Sequence, residues 1–138
     1  MIKTDAMNLL INLVLITNGI YDLACAAGIL WFENLPVFNT LSKLHPTMFA
    51  DDINSENPVI KRLLSYWLIT YGMVRTIAGF HRNDALDIAA AMTYFIEAFC
   101  FEYENRVGGT MDPSKVAFVS IVSALMGVWF LMRPYGIF

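Results

Sequence analysis

Arg75 lies inside an apolar run, Leu63-Leu-Ser-Tyr-Trp-Leu-Ile-Thr-Tyr-Gly-Met-Val-Arg75-Thr-Ile-Ala-Gly-Phe80, and Asp22 and Glu97 lie inside two neighbouring apolar runs. One guanidinium and two carboxylates on separate segments could staple those segments together, hold the polar end of a ligand or lipid, or relay a proton. A relay needs a group poised to titrate, and an arginine held by an aspartate leaves none. The runs are long enough to cross a bilayer. A charge at the bilayer centre costs about 2.5–3.5 kcal/mol on insertion scales, so each of these charges calls for an opposite charge from a neighbouring helix.

Depth sets which charges can meet. Counted inward at ~1.5 Å per residue, Asp22 lies ~15 Å from position 32, Arg75 ~18 Å from position 63, and Glu97 ~9 Å from position 103. Asp22 and Arg75 are level near the midplane, and Glu97 is within reach of a long guanidinium or a bridging Tyr. Tyr66, Tyr71 and Tyr94 bring hydroxyls from the same two helices. The expected centre is a buried Asp22–Arg75 ion pair with Glu97 and Tyr71 beside it, and its plainest role is a staple.

The remaining chemistry-bearing residues are sparse. His45 and His81 fall on opposite sides of the membrane, so they cannot share a metal, and neither has a carboxylate at helical spacing. Each could singly ligate a pigment magnesium or a haem, though a histidine at a helix end is the plainer reading. Cys25 and Cys100 sit in apolar runs without a CxxC or Cys/His cluster, as small buried filler would. The sequence holds no nucleophile–base pair, phosphate loop or metal motif.

The elements that carry these residues follow from composition and periodicity. Of 138 residues, 57% are apolar and 15% charged, against roughly 45–50% and about 25% in soluble domains. The mean hydropathy is +0.54. The apolar residues gather into four blocks that read as spans near 7–32, 58–80, 84–104 and 113–132. Soluble bundle helices keep a polar stripe, but Ala117–Met132 offers only Ser120 and Ser123 for that role. The expectation is an all-α, single-domain, integral membrane four-helix bundle. A net charge of −3 without a basic stripe excludes nucleic acid as a partner. The first run exceeds a signal-peptide core of roughly 7–15 residues and reads as a resident helix.

Local signals set the boundaries. Asn57-Pro58 and Asp112-Pro113 are caps followed by proline at the first helical position, Asn83 or Asp84 can cap the third span, and Arg133-Pro134 closes the fourth. Gly19, Ala24, Ala26, Ala27 and Gly28 allow close backbone approach and suggest that the first helix is central. In the 33–62 loop, Val37, Phe38, Leu41 and Leu44 share one face of a short interfacial helix and would meet lipid or a partner. The stretch 51–57 reads as polar and exposed. Four spans put both termini on one side with Lys3, Arg82 and Arg133. Lys43, Lys61, Arg62, Arg106 and Lys115 lie on the other, which leans that side towards the cytoplasm, matrix or stroma.

Val74-Arg75 in the second span, His81-Arg82-Asn83 in the turn, Phe95-Ile-Glu97-Ala-Phe-Cys-Phe-Glu102 in the third span and Gly109-Thr-x-x-Pro113 before the fourth together resemble the ergosterol-biosynthesis scaffold family over about residues 60–132. The resemblance implies a four-span protein of the endoplasmic reticulum that tethers the enzymes of sterol C-4 demethylation. The leading expectation is therefore a non-catalytic scaffold or accessory subunit whose partners are other integral membrane proteins and bilayer lipids. The alternatives are an accessory subunit of a photosynthetic or respiratory complex, in thylakoid or mitochondrial inner membrane, and a small lipid or sterol isomerase-like enzyme using Glu97 and Asp22. No cofactor is required, although lipid, sterol or pigment would be compatible with the buried charges.

Overall fold

The computed structural model describes residues 2–49 and 57–137, with residues 2–4 described by backbone alone. The described residues form five α-helices: α1 (Ile2–Ala27), α2 (Pro36–Leu44), α3 (Pro58–Phe80), α4 (Asp84–Tyr103) and α5 (Pro113–Met132). The expected polar stretch at 51–57 lies outside the described residues except for Asn57. Among the described residues there is no strand, only an isolated antiparallel bridge between Phe49 and Met111.

Caps written into the sequence start three helices. The side chains of Asn57, Asn83 and Asp112 accept backbone N–H groups at the starts of α3, α4 and α5, and proline opens α3 and α5. The other ends are less regular. Wide π-turns extend α1 through Phe32 and α4 through Gly108. Gly109, at φ 63°, then takes the left-handed conformation that ends α4.

α1 packs on α3 and α4 packs on α5, with a lighter contact between α3 and α4. This differs from the expected central place of α1. The cause is the small residues themselves, which form a two-helix seam. A Cβ on Gly19 would meet the Gly72 carbonyl at 2.7 Å, and one on Gly72 would meet the Gly19 carbonyl at 2.8 Å. A Cβ on Gly79 would lie 2.9 Å from the Asn12 carbonyl. Backbones this close exclude any side chain, which is how small residues drive association of apolar helices. α4 and α5 meet differently, with Gly127 receiving the ring of Phe95.

Side-chain polarity runs opposite to that of a soluble bundle. Asp22, Arg75, Asp87 and Arg133 are buried. Apolar side chains stand exposed at helical spacing on every long helix: Leu9, Leu13 and Ile20 on α1; Met73, Ile77 and Phe80 on α3; Ile88, Met92, Ile96 and Phe99 on α4; Phe118, Ile121, Leu125 and Val128 on α5. Two helical stretches, Asp5–Phe32 and Pro113–Met132, are apolar enough as single segments to cross a membrane by length and composition. Four such segments were expected. α4 carries Asp84, Asp87, Glu97 and Glu102, and α3 is rich in Ser, Thr, Tyr and Gly, which lowers their segment hydropathy.

The expected amphipathic helix is present as α2, but its apolar residues do not share one outward face. Val37 and Leu44, seven residues apart, are exposed. Leu41 instead packs towards Cys25 and Leu64. Phe38 sits 5.2 Å from the Phe32 ring, with its carbonyl against Gly28. Ser42 is buried and His45 turns into the interior. The stripe 38, 41, 42 and 45 thus docks α2 across one end of the bundle, because the Gly28 gap lets the helix come close.

The α1–α3 seam generates a prediction. Gly72→Leu places a branched side chain against the α1 backbone and should destabilise the protein by about 1–3 kcal/mol or more, the usual range for overpacking. Leu125→Ala on the exposed face of α5 should change the thermal unfolding midpoint in detergent much less. Equal midpoints for the two variants would mean that the seam does not carry the packing.

Candidate functional site

The Arg75 centre is assembled by three helices. α1 and α3 are antiparallel neighbours, and helical side chains lean towards the N-terminus of their own helix. Arg75 on α3 and Asp22 on α1 therefore lean towards each other. Arg75 Nη1 donates to Asp22 Oδ2 at 2.8 Å and Nε donates to Thr93 Oγ1 at 3.0 Å. Nη2 donates to Glu97 Oε2. The Thr93 hydroxyl donates onward to the Ala90 carbonyl at 2.7 Å.

Aromatic faces complete the enclosure. The guanidinium carbon lies 3.7 Å from the Tyr94 ring centroid and 5.3 Å from that of Tyr71, both within cation–π range. Asn18 Nδ2 donates to the Tyr94 hydroxyl at 2.8 Å, tying this ring to α1. Arg75 and Asp22 are each 4% exposed, so the attraction between them is little screened. Two carboxylates face one guanidinium, and the centre is rich in hydrogen-bond acceptors.

A second ionic centre lies towards the termini. Arg133 Nε donates to Asp87 Oδ2 at 2.7 Å and Nη2 donates to Asp87 Oδ1, a bidentate pair. Nη1 donates to Asn12 Oδ1. Asp87 is 1% and Arg133 6% exposed. The sequence reading counted Arg133 only among the charges of the terminal side; the structure buries it in an ion pair. The residue occupies the C-terminal cap of α5, and the antiparallel packing of α4 brings the Asp87 carboxylate to the same level. The signal was an aspartate in the apolar stretch Ala85-Leu-Asp87-Ile-Ala-Ala90, which needs a buried cation. With Arg133 paired inside, the terminal side loses one of the charges that weighed in the topology argument.

The two histidines lie at opposite ends of α3. His81 is the exposed C-cap residue of that helix. His45 is largely enclosed, 5.8 Å ring to ring from Tyr21, and its Nδ1 is buried without a hydrogen-bond partner. Burial pushes the His45 imidazole down to about 4, and the Arg75 charge adds to this. Outside the helices, Asp112 is held down at about 2 by the Ser114 hydroxyl and by Lys115. Lys115 Nζ also donates to the Thr47 carbonyl at 2.7 Å, and the Asp112 N–H donates to the Met48 carbonyl at 2.9 Å. These bonds fasten the segment after α2 to the start of α5. Among the described residues, no group of three or more His, Cys, Asp or Glu side chains could hold a metal ion.

The sequence residues Asp22, Arg75, Glu97 and Tyr71 thus share one centre, with Thr93, Tyr94 and Asn18 added by the fold. A model of the Erg28 like protein family matches residues 15–129, and the chain belongs to that family. The match reaches well into α1, beyond the stretch on which the resemblance rested. No curated protein and no solved structure shows significant similarity to the chain.

Two predictions follow from the geometry. Arg75→Ala leaves Asp22 buried without its cation and should cost about 3–5 kcal/mol, whereas Asp22→Asn combined with Arg75→Gln should cost less. Thermal unfolding in detergent gives the comparison, and equal losses would mean that the pair is not a staple. The second concerns pH. With its folded value below the unfolded one, His45 contributes stability that is present above about pH 6.5 and is lost as pH falls towards 4. The wild-type protein should therefore lose more of its unfolding midpoint across that window than His45→Asn does.

Proposed function

We propose that this chain, as a member of the Erg28-like family of membrane scaffolds in sterol synthesis, is a four-span, non-catalytic scaffold that holds other membrane proteins together. One observation carries the membrane part of this reading. Arg75 and Arg133 are paired with carboxylates in the interior while all four long helices turn apolar stripes outward, including α3 and α4. Water would not tolerate such a surface, whereas lipid or the helices of partner proteins match it. The polar residues of α3 and α4 include Arg75, Thr93, Asp87 and Glu97, which are satisfied inside the bundle. Segment hydropathy therefore understates how readily those two helices sit in a bilayer.

On this reading the protein is one transmembrane domain of the endoplasmic reticulum, with spans near 7–32, 58–80, 84–104 and 113–132. Its partners are integral membrane enzymes that dock on the outer stripes and on α2, where Val37 and Leu44 are exposed. The chemistry of the centre supports a non-catalytic role, because Arg75 engages both Asp22 and Glu97 and leaves neither carboxylate free to act as an isolated general acid. Val37 and Leu44 supply an apolar edge beside the basic Lys43, a composition suited to the membrane interface.

Single cysteines at Asn83 and Thr110, in a background without Cys25 and Cys100, test the topology. A membrane-impermeant maleimide should reach them from opposite sides of sealed microsomes, and labelling of both from one side would overturn the four-span reading. The scaffold reading predicts that native purification in mild detergent recovers several membrane enzymes at once. Ile121→Lys with Leu125→Lys on the outer face of α5 should weaken at least one of those associations. Recovery of the chain alone at the size of a monomer would count against it.

A further inference from the structure

Four helices can close a bundle only if each touches two neighbours, and here one contact is incomplete. α1 meets α5 towards the termini, where Ile11 and Leu15 pack with Phe130 and Arg133 reaches Asn12. Towards the α2 end the two helices part. A cavity of about 400 Å³ opens between them, inside the usual size range of small-molecule sites. Its floor is the Arg75 centre, one wall is the apolar face of α5 at Phe118, Val122 and Met126, and α2 closes its end with Leu44 and His45. Phe118 is 71% exposed, so that wall continues to the outer surface of the bundle.

We propose that this cleft binds an amphiphile whose polar end donates hydrogen bonds, a lipid alcohol or amine, with its tail lying along α5 between α1 and α5.

The polarity of the floor selects the head group. Arg75 uses Nη1 on one oxygen of Asp22 and Nη2 on one oxygen of Glu97. The second oxygen of each carboxylate accepts no hydrogen bond among the described residues. The Asn18 amide donates to the Tyr94 hydroxyl, and Lys115 at the mouth is held by Asp112 and the Thr47 carbonyl. The buried His45 Nδ1 has no partner. The floor thus holds two carboxylates against one guanidinium, and the open carboxylate oxygens match a hydroxyl or ammonium. A carboxylate or phosphate head would meet two like charges that the single Arg75 guanidinium does not balance. A staple alone would not call for a cleft of this size, since an unfilled space forfeits the contacts of its lining.

The experiment uses the whole protein in lipid nanodiscs and three photoactivatable probes of equal chain length: a diazirine-bearing fatty alcohol, the matching amine and the matching carboxylate. The alcohol, the amine or both should label the α5 peptide around 118–126 saturably, at least about tenfold more than the carboxylate, the factor that one charge-assisted hydrogen bond can supply. Labelling by the amine alone assigns the floor to cationic heads, and labelling by the alcohol assigns it to neutral ones. Val122→Trp fills the cleft and should abolish the labelling, while Ile121→Trp on the outer face should leave it. Unlabelled alcohol should compete in the wild-type protein, which keeps the test decisive if Val122→Trp does not fold. Equal labelling by the carboxylate, or labelling that unlabelled alcohol does not compete, overturns the proposal and leaves the cleft to water.

Discussion

The fold depends on pairing two buried guanidiniums. Arg75 ties α1, α3 and α4 through Asp22, Glu97 and Thr93, and Arg133 ties α1, α4 and α5 through Asn12 and Asp87. Between them the two residues reach all four long helices. Desolvating an arginine is expensive, and the expense is met only when its donors find acceptors in good geometry. Each pairing therefore restricts how the helices can slide or rotate. That is a registry role, suited to helices whose apolar faces alone would pack in many ways.

Close backbone approach does the complementary work. Gly19, Gly72 and Gly79 bring α1 and α3 together along a seam in which no Cβ fits, so the antiparallel register is set sterically. Once it is set, Asp22 falls opposite Arg75, and the lean of helical side chains brings the two charges into contact. On the other pair, the Phe95 ring over Gly127 holds α4 to α5. The molecule is in this sense two helix pairs joined by ionic centres, and at the α2 end of the α1–α5 side neither device closes the gap.

α2 links the bundle to its surroundings. Its inward stripe seats on Gly28 and the Cys25–Leu64 cluster, and the segment that follows is pinned to the start of α5 by Lys115 and by the Met48 carbonyl. A short helix so anchored presents Val37 and Leu44 outward at a fixed position. For a protein whose proposed task is to hold other membrane proteins, such an edge is more useful than a mobile loop, because docking on it orders little additional chain.

The sequence by itself determined the helical class, the caps at Asn57 and Asp112 and one at Asn83 or Asp84, a short helix in the 33–62 loop, the meeting of Asp22 with Arg75 and Glu97, and the resemblance to the family. These follow from local chemistry or from the price of a lone charge in an apolar run, and both can be counted along the chain. Tertiary structure decided what depends on rotation about helix axes. It turned Leu41 inward and Val37 outward, because α2 docks through Gly28. It buried Arg133 against Asp87; the lone aspartate in an apolar stretch signals a need for a cation, but which cation answers it depends on how the ends of two different helices meet. It also parted α1 from α5 to leave the cleft, and made α1 the partner of α3 rather than the centre of the bundle. Hydropathy read helix by helix passes only two segments, since it cannot know that the polar groups of α3 and α4 face one another. Which face a residue occupies is set by its neighbours in space, and no count along the chain contains them.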